Sequence, residues 1–140
     1  MPTNNRYIIS LGGSLIVPDE IDVNFLRNFK KIIEIGLKRK EKFLLITGGG
    51  RTSRRYIEAA KALGHLDPDD LDWLGIHSTR LNGHLLRTIF RKYSHPRIIT
   101  NPHHAEPASE QIIIAAGYRP GWSTDYDAVL LARKYKAAAV

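Results

Sequence analysis

The residues best suited to chemistry stand together in "FLLITGGGRTSRR", Phe43 to Arg55, where an apolar run meets three glycines and then three arginines. Glycine lets backbone N–H groups come close to an oxyanion, and the first N–H groups of a helix favour negative charge. Arg51, Arg54 and Arg55 fall in the first turn or so after the glycines. Positive charge at a helix N-terminus is mildly unfavourable unless something negative offsets it, and that conflict points to a bound phosphate.

Two other stretches share the design of strand, glycine and helix: "ISLGGSL" (Ile9 to Leu15) and "IAAGYRPGWSTD" (Ile114 to Asp125). For one such stretch a tight turn is the better reading. Three of them at the ends of strands in one sheet, one followed by arginines, favour phosphate binding. Neither G-x-x-x-x-G-K-[ST] nor G-x-G-x-x-G is present, so a P-loop or dinucleotide fold has no support.

The other polar candidates carry less. His103-His104 sit in the proline-flanked loop "NPHHAEPASE" without a carboxylate cluster at ligand spacing, and read as a solvated pair. His77 and His84, seven apart on a helix, read as packing or interface residues. Asp67, Asp69 and Asp70 read as a solvated acidic turn, whereas Asp72, just before apolar "WLG", is placed to reach a ribose hydroxyl. Single tryptophans are usually core residues; Trp122, inside a glycine-proline loop, has a better claim than Trp73 to line a ligand.

The elements that must position these residues follow from two hydrophobic periods. "RYIISL" (Arg6 to Leu11), "KFLLIT" (Lys42 to Thr47) and "QIIIAAG" (Gln111 to Gly117) are short apolar runs rich in β-branched residues and read as buried strands; "PRIIT" is a candidate short strand. Helical spacing of Phe25, Leu26, Phe29, Ile32, Ile33 and Leu37 predicts a helix over 22–40. Further helices are expected over 51–63, closed by Gly64, from Asp69 or Asp70 to Phe90, and over 125–136. "KAAAV" at 136–140 looks like the entry to another strand. Strands alternating with helices imply an α/β fold, a mostly parallel sheet sandwiched by helices, with ligands at the carboxyl ends of its strands.

At 140 residues and 43% hydrophobic, the chain is the size of one globular domain with a core, and no repeat or linker divides it. No window can span a membrane, and "MPTNNRYIIS" lacks the regions of a signal peptide, so a cytoplasmic protein is expected. The absence of cysteine excludes disulfides and thiolate metal sites. A net charge of +7 suits an anionic partner.

"SLGGSLIVPDEID", "TGGGRTSRRYIEAAKALG", "LDWLGIHSTRLNGHLL" and "GYRPGWSTDYDAVLLA" occur in the order and spacing of the amino acid kinase superfamily. They are most similar to its archaeal-type uridylate (UMP) kinases, from about Tyr7 onwards. The resemblance implies transfer of the γ-phosphoryl of ATP to UMP, giving UDP, with Mg²⁺ on the donor. By the same resemblance, Ser10, Leu11, Gly12, Gly13 and Ser14 lie along the ATP phosphates. Gly50 and Arg54 contact the donor near the transferred group, with Arg54 the catalytic residue. Gly49 and Asp72 contact UMP, and Tyr118, Arg119, Pro120, Gly121, Trp122, Ser123 and Thr124 form the loop that wraps it. Thr79 to Asn82 resemble a helix near a subunit interface, so a homo-oligomer is expected.

Two departures qualify the resemblance. Many members of the superfamily carry a lysine where this chain has Ser10; archaeal-type UMP kinases also lack it. The family continues with a region that holds adenine and ribose, whereas this sequence stops at Val140. The expectation is therefore a truncated, acceptor-binding part over 1–140, with half a donor site and no turnover of its own. The alternatives are a kinase of another small phosphate or carboxylate acceptor, and a non-catalytic anion-binding or subunit-interface module. Isopentenyl phosphate kinases are disfavoured by "RTSR" in place of a histidine, acetylglutamate-type kinases by the 117–125 stretch. Nucleic-acid binding is the weakest reading.

Overall fold

The computed structural model describes residues 5–140; Met1 to Asn4, part of the segment read for a leader, lie outside the described residues. The chain runs β1 (Arg6–Leu11), α1 (Gly13–Ile16), α2 (Val23–Lys38), β2 (Lys42–Thr47), α3 (Gly50–Ala62), α4 (Pro68–Ile89), a 3-10 turn at Pro102–His104, β3 (Ile112–Ala115) and α5 (Thr124–Lys134). The three strands are parallel in the order β1-β2-β3, with Arg6 opposite Lys42 and Phe43 opposite Ile112.

The apolar runs divide by alternation, as a strand buried on both faces requires. Phe43, Leu45, Ile112 and Ile114 face a core built with Ile16, Leu26, Ile33, Leu37, Leu86 and Phe90. Leu44, Ile46, Ile113 and Ala115 face a second core with Ile8, Ile99, Ala128 and Leu131. So α2 and α4 cover one face and α5 the other. Ile32, grouped with the apolar stripe of α2 by spacing, points outward instead. Gly36 is required where α2 meets β2, since a Cβ there would lie 2.5 Å from the Phe43 ring.

Local chemistry sets the helix ends. Asp22 caps α2 by accepting the Phe25 N–H at 2.9 Å. The start expected for α4 at Asp69 or Asp70 moves back: Asp67 is the cap, accepting the Asp69 N–H, and Pro68 takes the first helical position, where its missing N–H costs nothing. "PRIIT" forms no continuous strand. Ser94 and Ile99 each bridge β3, but Pro96 between them has no N–H to extend the ladder. At 138–139 the backbone does pair with β1: the Ala138 N–H donates to the Arg6 carbonyl and the Ile8 N–H to the Ala139 carbonyl.

All three strands point their carboxyl ends at one edge of the sheet. Gly12-Gly13, Gly48 to Gly50 and Gly117 therefore leave the sheet side by side.

Candidate active-site cleft

Two of those glycine turns pack backbone on backbone. A Cβ on Gly13 would lie 2.1 Å from the Gly50 nitrogen and 2.6 Å from the Gly48 carbonyl carbon. Gly50 adopts φ +62°, and a Cβ there would also sit 2.3 Å from the Gly13 oxygen. Asn82 of α4 fixes the same turn, its Nδ2 donating to the carbonyls of Gly48 at 2.8 Å and Gly49 at 3.2 Å. No side chain caps α3 and no acidic residue stands in its first turn, so its N-terminal dipole faces outward uncompensated by the chain.

Beside this turn opens a cleft of about 530 Å³. Gly49, Gly50 and Arg54 form one wall, and Asp72 of α4 a second. Arg119, Pro120, Gly121, Trp122, Ser123 and Thr124 form the third. Arg54 is exposed and, among the described residues, has no ion-pair or hydrogen-bond partner. Arg55 is taken by Asp19. The arrangement offers a guanidinium, glycine backbone and the N-terminus of α3 on one side, and a carboxylate with an aromatic loop on the other. It suits a ligand with a phosphate end and a hydroxyl-bearing end.

Sequence reasoning missed Ser53, Gly75, Ile76, Thr79 and Gly117, which also line the cleft. Most were within reach of helical spacing. Asp72, Gly75, Ile76 and Thr79 stand at i, i+3, i+4 and i+7 on α4, and Gly50, Ser53 and Arg54 at i, i+3 and i+4 on α3. Other expected site residues lie outside the cleft. Leu11 and Gly13 are buried, Ser10 donates to the Asp125 Oδ1 at 2.9 Å, and Gly12 and Ser14 stand exposed at the sheet edge. Tyr118 packs edge-on to Trp122, ring centroids 5.3 Å apart, and Trp122 is flanked also by His103 at 5.4 Å and Tyr126 at 5.2 Å. The guanidinium of Arg119 lies over the Tyr118 and Trp122 rings.

The structure places the remaining candidates as follows. Trp73 is not a core residue but 37% exposed, its ring tilted towards His77 on α4. His77 and His84 are both exposed, and His103, read as solvated, is exposed yet joins the Trp122 cluster. Of the Thr79 to Asn82 run, only Leu81 faces solvent, at 64% exposed; Thr79 and Asn82 are buried against the strand ends. Thr79 accepts the Gly117 N–H at 2.8 Å through its hydroxyl, and its carbonyl accepts from the Thr47 hydroxyl.

Asp127 lies in the first turns of α5, 1% exposed, with neither carboxylate oxygen hydrogen-bonded. Burial pushes its carboxyl from 3.8 up to about 6, and the Tyr118 N–H, not in hydrogen-bonding geometry, offsets this only partly. A native carboxyl that keeps its proton to higher pH than the unfolded one gives stability that is full below about pH 4 and is lost as pH rises through about 6. Asp127→Asn should flatten that dependence and raise stability at pH 7 by on the order of 2 kcal/mol. Urea unfolding of both proteins between pH 4 and 7 measures it; parallel curves would remove Asp127 as the cause.

The sequence model of the amino acid kinase family matches residues 5–140. The chain is 34% identical over 136 residues to the uridylate kinase of Thermococcus sibiricus, covering 94% of this chain and 59% of that protein. It is 36% identical over 132 residues to the uridylate kinase of Methanosarcina acetivorans, covering 93% and 55%. The solved uridylate kinase of Archaeoglobus fulgidus superposes with a TM-score of 0.78 at 31% identity, covering 95% of this chain and 59% of that one. The UMP kinase of Bacillus anthracis, at 19% identity and a TM-score of 0.75, shares the fold. The chain thus spans little more than half the length of the relatives it matches. With a parallel sheet between helices, glycine turns meeting at its carboxyl edge and a family match from residue 5 to residue 140, the chain belongs to the amino acid kinase family.

Proposed function

We propose that this chain is the acceptor-binding part of a cytoplasmic nucleoside monophosphate kinase that transfers the γ-phosphoryl of ATP to UMP. The observation that carries the reading is the cleft itself, where Gly49, Gly50 and Arg54 stand across from Asp72 and the 119–124 loop. The names of the archaeal relatives support UMP as the acceptor.

In this reading an oxygen of the UMP phosphate attacks the γ-phosphorus, the bond from that phosphorus to the β,γ-bridging oxygen breaks, and ADP leaves. The attacking oxygen is already largely ionised at neutral pH, so no general base is needed. The chain's work is to hold two polyanions in line and to offset their charge. Gly49 backbone, Asp72 and Tyr118 to Thr124 hold UMP, with Asp72 on a ribose hydroxyl. Gly50 and the Ser10 to Ser14 segment lie along the donor phosphates, and Arg54 stabilises charge on the moving group. As the family resemblance implies, Mg²⁺ would accompany the donor and offset charge on its phosphates. An exposed apolar groove beside Ile21, Leu81 and Leu85 supports self-association as a homo-oligomer.

Calorimetric titration with UMP, CMP, AMP and ATP-Mg at physiological salt tests the reading. Saturable binding that prefers UMP is expected. Equal affinity for all four would leave an anion site, and steep loss with salt regardless of base would point to phosphate-backbone binding.

A further inference from the structure

We propose that Arg80 is the positioning residue of the acceptor loop: bonded to two consecutive carbonyls at the loop's entry, it fixes residues 117–124 and so sets acceptor affinity without touching the ligand. The link to affinity rests on the nucleotide reading of that loop; the hold on the loop does not.

Arg80 is absent from the cleft wall. From the neighbouring face of α4, its Nε–H donates to the Gly117 carbonyl at 3.2 Å and its Nη2 to the Tyr118 carbonyl at 2.9 Å. A guanidinium is a planar fork with fixed donor directions, so two such bonds fix the relative orientation of both peptides; a lysine ammonium reaching one carbonyl cannot. The guanidinium also lies 5.8 Å from the Trp73 ring, which restrains the side chain from another side. Thr79, one residue earlier, holds the N–H of Gly117. Both polar groups of the Gly117 residue are therefore engaged by α4.

Side chains restrain the rest of the loop through the Trp122 ring cluster, but its backbone has little else to fix it. Between Arg119 and Trp122 the backbone hydrogen bond among the described residues is the turn from the Trp122 N–H to the Arg119 carbonyl, and Gly121 adopts φ +85°. Only at Ser123, which caps α5 by accepting the Tyr126 N–H, is the chain anchored again. The backbone of Arg119 to Ser123, residues all singled out by sequence, is thus held at its two ends by the Arg80 fork and the start of α5, with the Trp122 ring cluster between. Thr79, Arg80 and Asn82 together hold both the triple-glycine turn and the loop from one helix, with Arg80 responsible for the loop.

Arg80→Ala and Arg80→Lys in the 140-residue chain separate this role from general stability. Amide hydrogen exchange without nucleotide, read by mass spectrometry, should quicken at least about tenfold over 117–124 in both variants, with β1 to β3 protected as in the wild type. The UMP dissociation constant should rise about 10- to 100-fold in Arg80→Ala and less in Arg80→Lys. Wild-type loop exchange in Arg80→Ala overturns the proposal. A uniform rise that includes the strands, in both variants, also overturns it, because it marks a purely structural role. If the wild-type chain binds no UMP, the nucleotide reading falls, while the exchange rates still decide whether Arg80 holds the loop.

Discussion

Gly13→Ala is expected to prevent stable folding, or to cost at least about 4 kcal/mol, although it adds a single methyl group. The new Cβ would lie 2.1 Å from the Gly50 nitrogen and 2.6 Å from both the Gly48 carbonyl carbon and the Gly49 nitrogen. These are backbone atoms of a turn that Asn82 and the end of β2 also hold, so no side chain can swing aside. Relief requires the two strand ends to separate, which breaks the turn on which the cleft depends and exceeds the ordinary 1–3 kcal/mol of overpacking. Gly12→Ala is the control, since a Cβ there meets nothing within 4 Å. Thermal unfolding followed by circular dichroism checks both. Equal melting temperatures for Gly13→Ala and Gly12→Ala would show that the turns are not in contact.

On the kinase function proposed above, Arg54→Ala is expected to cut phosphoryl transfer at least about 100-fold, a loss of roughly 3 kcal/mol of transition-state stabilisation. The melting temperature of the chain should move by less than about 2 °C, because the side chain is exposed and unpaired among the described residues. Release of ADP from ATP and UMP gives the rate, and UMP titration gives the binding term. Arg54→Lys should recover only part of the loss, since a point charge lacks the planar fork. Near-normal turnover of Arg54→Ala would remove the residue from the mechanism and leave the glycine backbone to carry the charge.

Much of the fold was legible because the chain's hydrophobic periods are unmixed. Strand β1 has the bounds its β-branched run predicts, and β2 is apolar at every inner position because both its faces are buried. What period could not reveal was pairing. Ile98 and Ile99 read like a strand, yet a proline three residues before Ile99 restricts them to a bridge. The strand entry expected at 136–140 pairs at 138–139, and its partner, the free edge of β1, could not be read from period. The three walls of the cleft were readable from glycines and charges, but not the residues beneath. Gly75 and Thr79 carry no charge; Gly75 lets α4 approach α3 at Ser53, and Thr79 ties α4 to the strand ends through Thr47 and Gly117. Arg80 and Asn82 were obscured for another reason: a helix's two sides look alike until the partner loops are known.

Both tryptophans of the chain stand away from the two cores, one in the 117–124 loop and one against Arg80. Intrinsic fluorescence in this protein is thus a local signal. A melt followed by tryptophan emission tracks the loop and the outer side of α4, whereas far-ultraviolet dichroism tracks the helices and sheet. Coincident midpoints would mean that the site and the scaffold unfold as one cooperative unit; separate midpoints would mean that the site opens first on a scaffold still intact.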